Sequence, residues 1–263
     1  TRYDERSVVS AIHRAAGLHA VAVPPEMMAV LRDAQALSAA TQGAFDMTVG
    51  ALRAWRFGDQ QDLPDPAEIA AERRLVGYRG LILDANAGTA RLARSGMAID
   101  LGGIAKLPIL AAGMQVLHAH GLADALLNGG GDVLVAGSQQ GRPWRVGLRD
   151  PLAPERMLGV LALKGSHIVA SSGDYERFFM AQGERQHHIL DPATGRPTRG
   201  PHGISLLATD ASSVNGLGTA MMVLGGERAQ ALVQKRASVQ ALMMNHDGSL
   251  WRTPGMAELL QTA

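Results

Sequence analysis

Several short clusters in the sequence carry residue types able to do chemistry. Asp100-Leu-Gly-Gly-Ile-Ala-Lys106 sets two glycines and a lysine where a strand gives way to a helix. Free N–H groups at a helix start, with an ammonium nearby, suit a phosphate or pyrophosphate. The spacing matches neither a P-loop nor the GxGxxG dinucleotide fingerprint, so a glycine hinge with a solvated lysine stays open beside the phosphate reading. Asn128-Gly-Gly-Gly-Asp132 allows close backbone approach or a bulge, and three successive glycines exceed what a plain tight turn needs.

His187-His188-Ile-Leu-Asp191-Pro-Ala-Thr-Gly195 carries a candidate general base. A strand over 186–190 sends the two histidines to opposite faces, so only one can look into a site. Asp-Pro-x-Thr-Gly is a turn-former on any account. Ser171-Ser-Gly-Asp-Tyr175 reads as a loop after a strand, offering hydroxyls and a flexible glycine. Asn215 and Thr219 lie four apart on a helix expected to start after Asp210, which places an amide oxygen and a hydroxyl on one face. Both are hard oxygen donors of the kind Mg²⁺ accepts, yet neither is charged, and such a pair on a helix more often serves capping or packing. No HExxH, GxSxG or EF-hand pattern is present.

The elements that must position these clusters read as mixed α+β. Helical spacing from Pro25 to about Thr41 predicts one helix, and a second runs over Ala67–Leu75 after a polar, proline-rich loop at 59–66. Strand signals fall at Leu81-Ile-Leu83 and Ala90-Arg-Leu-Ala93, with a turn at Asn86-Ala-Gly88. A helix then follows Lys106 and stops near Gly121. Further strands are expected at 124–127, 133–135, 144–149, 157–163, 167–171, 186–190 and 203–208. One helix ends at Gly225 or Gly226 and another covers 227–236, before a final strand at 238–244. Nothing divides residues 1–263 into separate domains.

Composition removes several function classes. The 263 residues are 46% hydrophobic and 19% charged, which is neither disordered nor membrane-spanning, and no apolar run approaches the ~20 residues of a bilayer span. With 25 basic against 24 acidic side chains, there is no general electrostatic case for nucleic acid. The absence of cysteine excludes disulfides, thiolate metal sites and a cysteine nucleophile.

The order of motifs resembles the ApbE family of FAD:protein FMN transferases. Thr41-Gln-Gly-Ala-Phe-Asp-Met-Thr-Val-Gly50, Asp100–Lys106 and Asn128–Asp132 come in sequence. Pro143–Pro151, Ser171–Tyr175, His188–Pro197 and Thr219–Gly225 follow, so the match spans nearly the whole chain. The resemblance implies a single T-fold-like α+β domain that binds FAD, cleaves its pyrophosphate with Mg²⁺, and moves FMN onto a Thr or Ser hydroxyl of an acceptor protein. The family's acceptors are subunits of flavin-dependent redox complexes, and some members hydrolyse FAD instead. It also implies a periplasmic protein whose membrane contact would be an N-terminal lipid anchor lying outside these residues.

Carried onto this sequence, the resemblance makes His188 the base that activates the acceptor hydroxyl. Gly102, Gly103 and Lys106 match the flavin-phosphate segment, and Tyr3 sits where some members stack an aromatic on the isoalloxazine. Ser172, Gly173 and Asp174 belong to the same cavity. The backbone oxygen of Ala105 with Asn215 and Thr219 matches the metal ligands. Four positions depart from the family pattern: Asn215 replaces an aspartate, Leu107 a glycine, Ala111 an acidic residue and His13 an asparagine. They fit a retained fold that binds flavin without transferring it, or a subfamily using another ligand such as Asp210.

Overall fold

Ser7 starts the first helix, α1 (Val8–Arg14), by accepting a hydrogen bond from the Ser10 N–H at 3.1 Å. That satisfies a donor the helix cannot pair internally. β1 (Val21–Ala22) and α2 (Pro25–Ala40) follow. Proline sits at the first position of α2, where a missing N–H costs nothing, and Met28, Leu31 and Ala34 go inward at helical spacing. The computed structural model describes residues 3–57 and 62–262. The loop expected over 59–66 falls outside the described residues at 59–61, and it gives way to α3 (Pro66–Arg73). β2 (Leu81–Asp84) and β3 (Thr89–Leu92) form the expected hairpin, and β1 completes a sheet of order β1-β3-β2.

The segment from Thr41 to Gly50 acts as scaffold for what comes after β3. Buried Asp46 accepts from the Thr48 N–H at 2.7 Å, the Thr48 hydroxyl at 2.6 Å and the Tyr78 N–H at 2.8 Å. Desolvation nonetheless holds its carboxyl above the usual range. Gly50 lets this turn lie against the chain ahead of Asp100: a Cβ there would stand 2.5 Å from the Ile99 carbonyl carbon. The Asp100 N–H donates to the Met47 carbonyl at 2.7 Å, so the turn fixes the chain ahead of the two glycines.

α4 (Lys106–Ala119) comes next, then β4 (Ala125–Gly129), β5 (Asp132–Ala136), β6 (Trp144–Arg149), β7 (Met157–Leu163) and β8 (His167–Gly173). Two hairpins follow: β9 (Phe178–Ala181) with β10 (Glu184–His187), and β11 (Leu190–Asp191) with β12 (Arg196–Pro197). The strand expected over 186–190 is therefore two strand ends separated by His188 and Ile189. β13 (Gly203–Ala208), α5 (Leu217–Leu224), α6 (Gly226–Gln234) and β14 (Gln240–Met244) follow; α5 starts well after Asp210, where the helix was expected to begin, while the other three run close to expectation. β14 is not the last strand, because β15 (Leu250–Arg252), α7 (Pro254–Leu259) and β16 (Leu260–Gln261) come after it.

Contacts divide the chain into two compact units, one of Thr1–Ile104 with Arg177–Thr198 and one of Ala105–Glu176 with Arg199–Ala263. In the first, Leu52, Trp55, Ile69 and Phe179 form a buried cluster. The Trp55 indole N–H donates to the Gly195 carbonyl at 2.8 Å, and Arg73 donates to the Ala193 carbonyl at 3.0 Å. The Asp-Pro-Ala-Thr-Gly turn is thereby pinned. In the second unit, an antiparallel sheet of order β15-β14-β13-β8-β5-β4 faces a smaller one of order β16-β7-β6. Val133, Val135, Val146, Leu148, Leu161, Leu163, Val169, Leu207 and Leu242 fill the space between, with Met256 from α7. Full burial of such side chains stabilises by roughly 1.5–3 kcal/mol each. No helix of the described residues is long and apolar enough to cross a membrane.

Candidate functional site

Within the first unit, the β9–β10 hairpin delivers the two histidines. His187 closes β10 opposite Phe178, is buried, and bonds through Nε2 to the Thr198 carbonyl at 2.8 Å. His188 has left the strand. Its main-chain N–H donates to the Arg177 carbonyl at 3.0 Å, and its Nδ1 lies 3.3 Å from the same oxygen. A carbonyl can only accept, so Nδ1 carries the proton and Nε2 of the neutral ring holds the lone pair. Desolvation, with His187 next to it, pushes the His188 imidazole down to about 4, against opposing pulls from the Arg177 carbonyl and the Asp100 carboxylate. The ring is therefore neutral at pH 7 and able to accept a proton.

Asp100 opens the glycine turn, in the same unit as His188. Asp100 Oδ1 accepts the Gly102 N–H at 2.8 Å, and both Gly102 and Gly103 are exposed. His13 supports this stretch from behind: its Nε2 accepts the Ile99 N–H at 3.0 Å. Tyr3 is 72% exposed ahead of α1.

The second unit holds the remaining residues. Lys106 is the first residue of α4, which starts at Ala105 without a side-chain cap. Its Nζ lies 2.6 Å from Asp132 Oδ2, with the lysine side chain 46% exposed and the aspartate side chain 7%. Asp132 Oδ1 accepts the Ser171 N–H at 2.9 Å. The triple glycine is explained by the β4–β5 turn. Gly130 and Gly131 have φ of 66° and 93°, and Asn128 Oδ1 accepts the Gly131 N–H at 3.0 Å. The motif delivers Asp132 to the first position of β5.

Ser171, Ser172 and Gly173 correct the expectation of a loop: they belong to β8 and pair with Ser205, Ile204 and Gly203 of β13. A Cβ at Gly173 would overlap the Tyr175 ring, and one at Gly218 would stand 2.6 Å from Ser172 Oγ. The start of α5 thus rests on the Ser172 side chain. Asp174 is buried, with Oδ2 2.7 Å from His202 Nδ1 and its N–H donating to the His202 carbonyl. His202 Nε2 lies 3.1 Å from the His246 carbonyl.

Asn215 and Thr219 do not share a helix. Asn215 lies in the turn before α5, and Gly216 follows it in the left-handed conformation at φ 72°. Asp210 instead precedes a short 3-10 turn, Ala211–Ser213, and engages the Ser212 hydroxyl. The shared face inferred from four-residue spacing is lost because the glycine reverses the chain between the two residues. Thr219 lies in the first turn of α5, and both side chains are half-buried.

With this geometry in place, comparison with known proteins is informative. The model of the ApbE family matches residues 1–243. The chain belongs to the ApbE family. It is 32% identical to the FAD:protein FMN transferase of Treponema pallidum over 269 residues, covering 96% of this chain and 74% of that protein. Its fold superposes on the crystal structure of the ApbE protein from Thermotoga maritima with a TM-score of 0.90 and 33% identity, covering 99% of this chain and 86% of the other. The flavin transferase ApbE from Vibrio cholerae gives 0.85 and 27%, with 99% and 85% covered. The α+β fold expected from the sequence is the ApbE fold.

The residues expected to hold the metal, Ala105, Asn215 and Thr219, lie in the second unit. The Ala105 carbonyl accepts the Ile109 N–H at 3.3 Å, which leaves a second lone pair. All three donors are hard oxygens and fit Mg²⁺ in type, but none is a carboxylate. Among the described residues no group of three acidic, histidine or cysteine side chains is assembled to hold an ion. The set fits a cation that arrives with a diphosphate, whose oxygens supply the missing charge. Sequence reasoning missed the pairings that organise the site: Asp132 with Lys106, His202 with Asp174, and His13 with the Ile99 N–H. The Asn128–Asp132 motif and the departure at His13 were the signals pointing to two of them.

Proposed function

We propose that this chain is an FAD:protein FMN transferase that moves FMN from FAD onto a Thr or Ser hydroxyl of an acceptor protein. The observation carrying the proposal is His188, neutral and fixed by the Arg177 carbonyl so that Nε2 is the basic nitrogen. The acceptor oxygen forms a bond to the FMN phosphorus as the bond to the AMP phosphate breaks. The hydroxyl proton passes to His188 Nε2, and AMP departs. On the family resemblance, Gly102, Gly103 and Lys106 bind the phosphate oxygens, and Tyr3 stacks on the flavin. Ser172 and Gly173 shape the floor under α5, while Asp174 acts through His202. Ala105, Asn215 and Thr219 would hold Mg²⁺, which when bound neutralises charge on the diphosphate. Family resemblance supports a periplasmic location and an acceptor belonging to a flavin-dependent redox complex.

A second reading, flavin binding without transfer, is favoured by the uncharged donors Asn215 and Thr219. One assay decides. The chain is incubated with FAD, Mg²⁺ and an acceptor bearing a flavinylation motif, then run on a gel. A fluorescent acceptor band establishes transfer. AMP release with a dark acceptor means hydrolysis, and bound FAD with neither product means a binding protein.

A further inference from the structure

We propose that Asp132 is a positioning residue that fixes the Lys106 ammonium for a diphosphate ligand; this rests on the flavin-dinucleotide reading above. A lysine at an uncapped helix start is free to swing, because its four-carbon stem has many rotamers. Here the ammonium is tied at 2.6 Å to a carboxylate whose side chain is only 7% exposed. That carboxylate is itself held, since its other oxygen takes the Ser171 N–H from β8. The Gly130-Gly131 turn places Asp132 at the start of β5. Three elements, α4, β5 and β8, therefore set one point charge. The ammonium has three N–H donors, and the lysine side chain stays 46% exposed, so a ligand oxygen has access to it while Asp132 holds it.

The pair also explains the composition of the Asn128–Asp132 motif. Glycines alone would make the turn, but only an acid at its end can meet the lysine. If Asp132 merely pinned strands together, its loss would weaken folding and every ligand alike. If it works through Lys106, its loss matters only while Lys106 is present.

The test is a double-mutant cycle on the full chain with Asp132→Asn and Lys106→Met, measuring FAD affinity by flavin fluorescence at several salt concentrations. Asp132→Asn keeps an oxygen for the Ser171 N–H. If Lys106→Met does not fold, Lys106→Gln replaces it. The expected result is a loss of about tenfold in FAD affinity for Asp132→Asn, shrinking to under about twofold when Lys106 is already replaced. Its salt dependence should also flatten to that of the Lys106 variant. Equal losses in both backgrounds, no loss, or an unchanged salt dependence would overturn the proposal. A chain that shows the coupling yet neither releases AMP nor labels an acceptor sinks the transfer reading and leaves Asp132 in its role. A chain that transfers FMN with additive losses sinks the positioning role alone.

Discussion

The two units keep their reactive groups ready by opposite physical means. In the first, His188 is held neutral by desolvation, and its proton is steered to Nδ1 by a carbonyl. In the second, the Lys106 ammonium is held in place by a buried carboxylate. A neutral base kept so by burial responds to pH and to the loss of its ring. An ammonium kept in place by a carboxylate responds to charge and to salt.

The largest expected effect breaks the first half of this contrast. His188→Ala should lower FMN transfer by about 10²–10⁴-fold, the usual worth of a general base, while FAD binding changes little. Single-turnover labelling of the acceptor measures it. Transfer at the wild-type rate would remove His188 from the chemistry.

Next in size is a pH effect on stability. His188 takes up a proton near 6.5 when unfolded and only near 4 when folded. Between those values the unfolded chain binds more protons, so stability rises with pH across that window and is fully present above about 6.5. His167 adds to the same trend, its imidazole being lowered by burial. His188→Gln should flatten the profile between pH 4 and 6.5 by about 1–3 kcal/mol in denaturant unfolding. A slope unchanged by the substitution would show that the ring is not desolvated. Over pH 7–8 the transfer rate should be insensitive to this group, which is already neutral.

The smallest effect sharpens the second half. Asn215→Asp adds the negative charge that the Ala105 and Thr219 oxygens lack, and Mg²⁺ affinity should rise on the order of tenfold by calorimetry. An unchanged affinity would place the cation elsewhere.

Long periodic elements were legible in the sequence, and short or glycine-broken ones were not. α2, α4, β6, β7 and β13 lie within a residue or two of their expected bounds, because the helices and β6 bury one face at regular spacing while β7 and β13 are largely apolar runs buried on both faces. The β9–β10 hairpin escaped notice because its turn uses Gln182 at φ 53° before Gly183, an unusual residue for that conformation. β15 and β16 are too short for any alternation to register. At the site, His188 and Lys106 were visible as residue types at the ends of elements. Their partners were not, since Asp132 meets Lys106 and Asp174 meets His202 only after distant strands pair. Asn215 was misplaced because a left-handed glycine interrupts an otherwise helical pattern.

The central claim is that FAD is cleaved by an acceptor hydroxyl and not by water. The most direct measurement is the ratio of AMP released to FMN bound on the acceptor, taken in one reaction by chromatography and peptide mass spectrometry. Transfer requires the two to appear in equal amounts, with FMN on a single Thr or Ser through a phosphoester. AMP accumulating over an unmodified acceptor would contradict it.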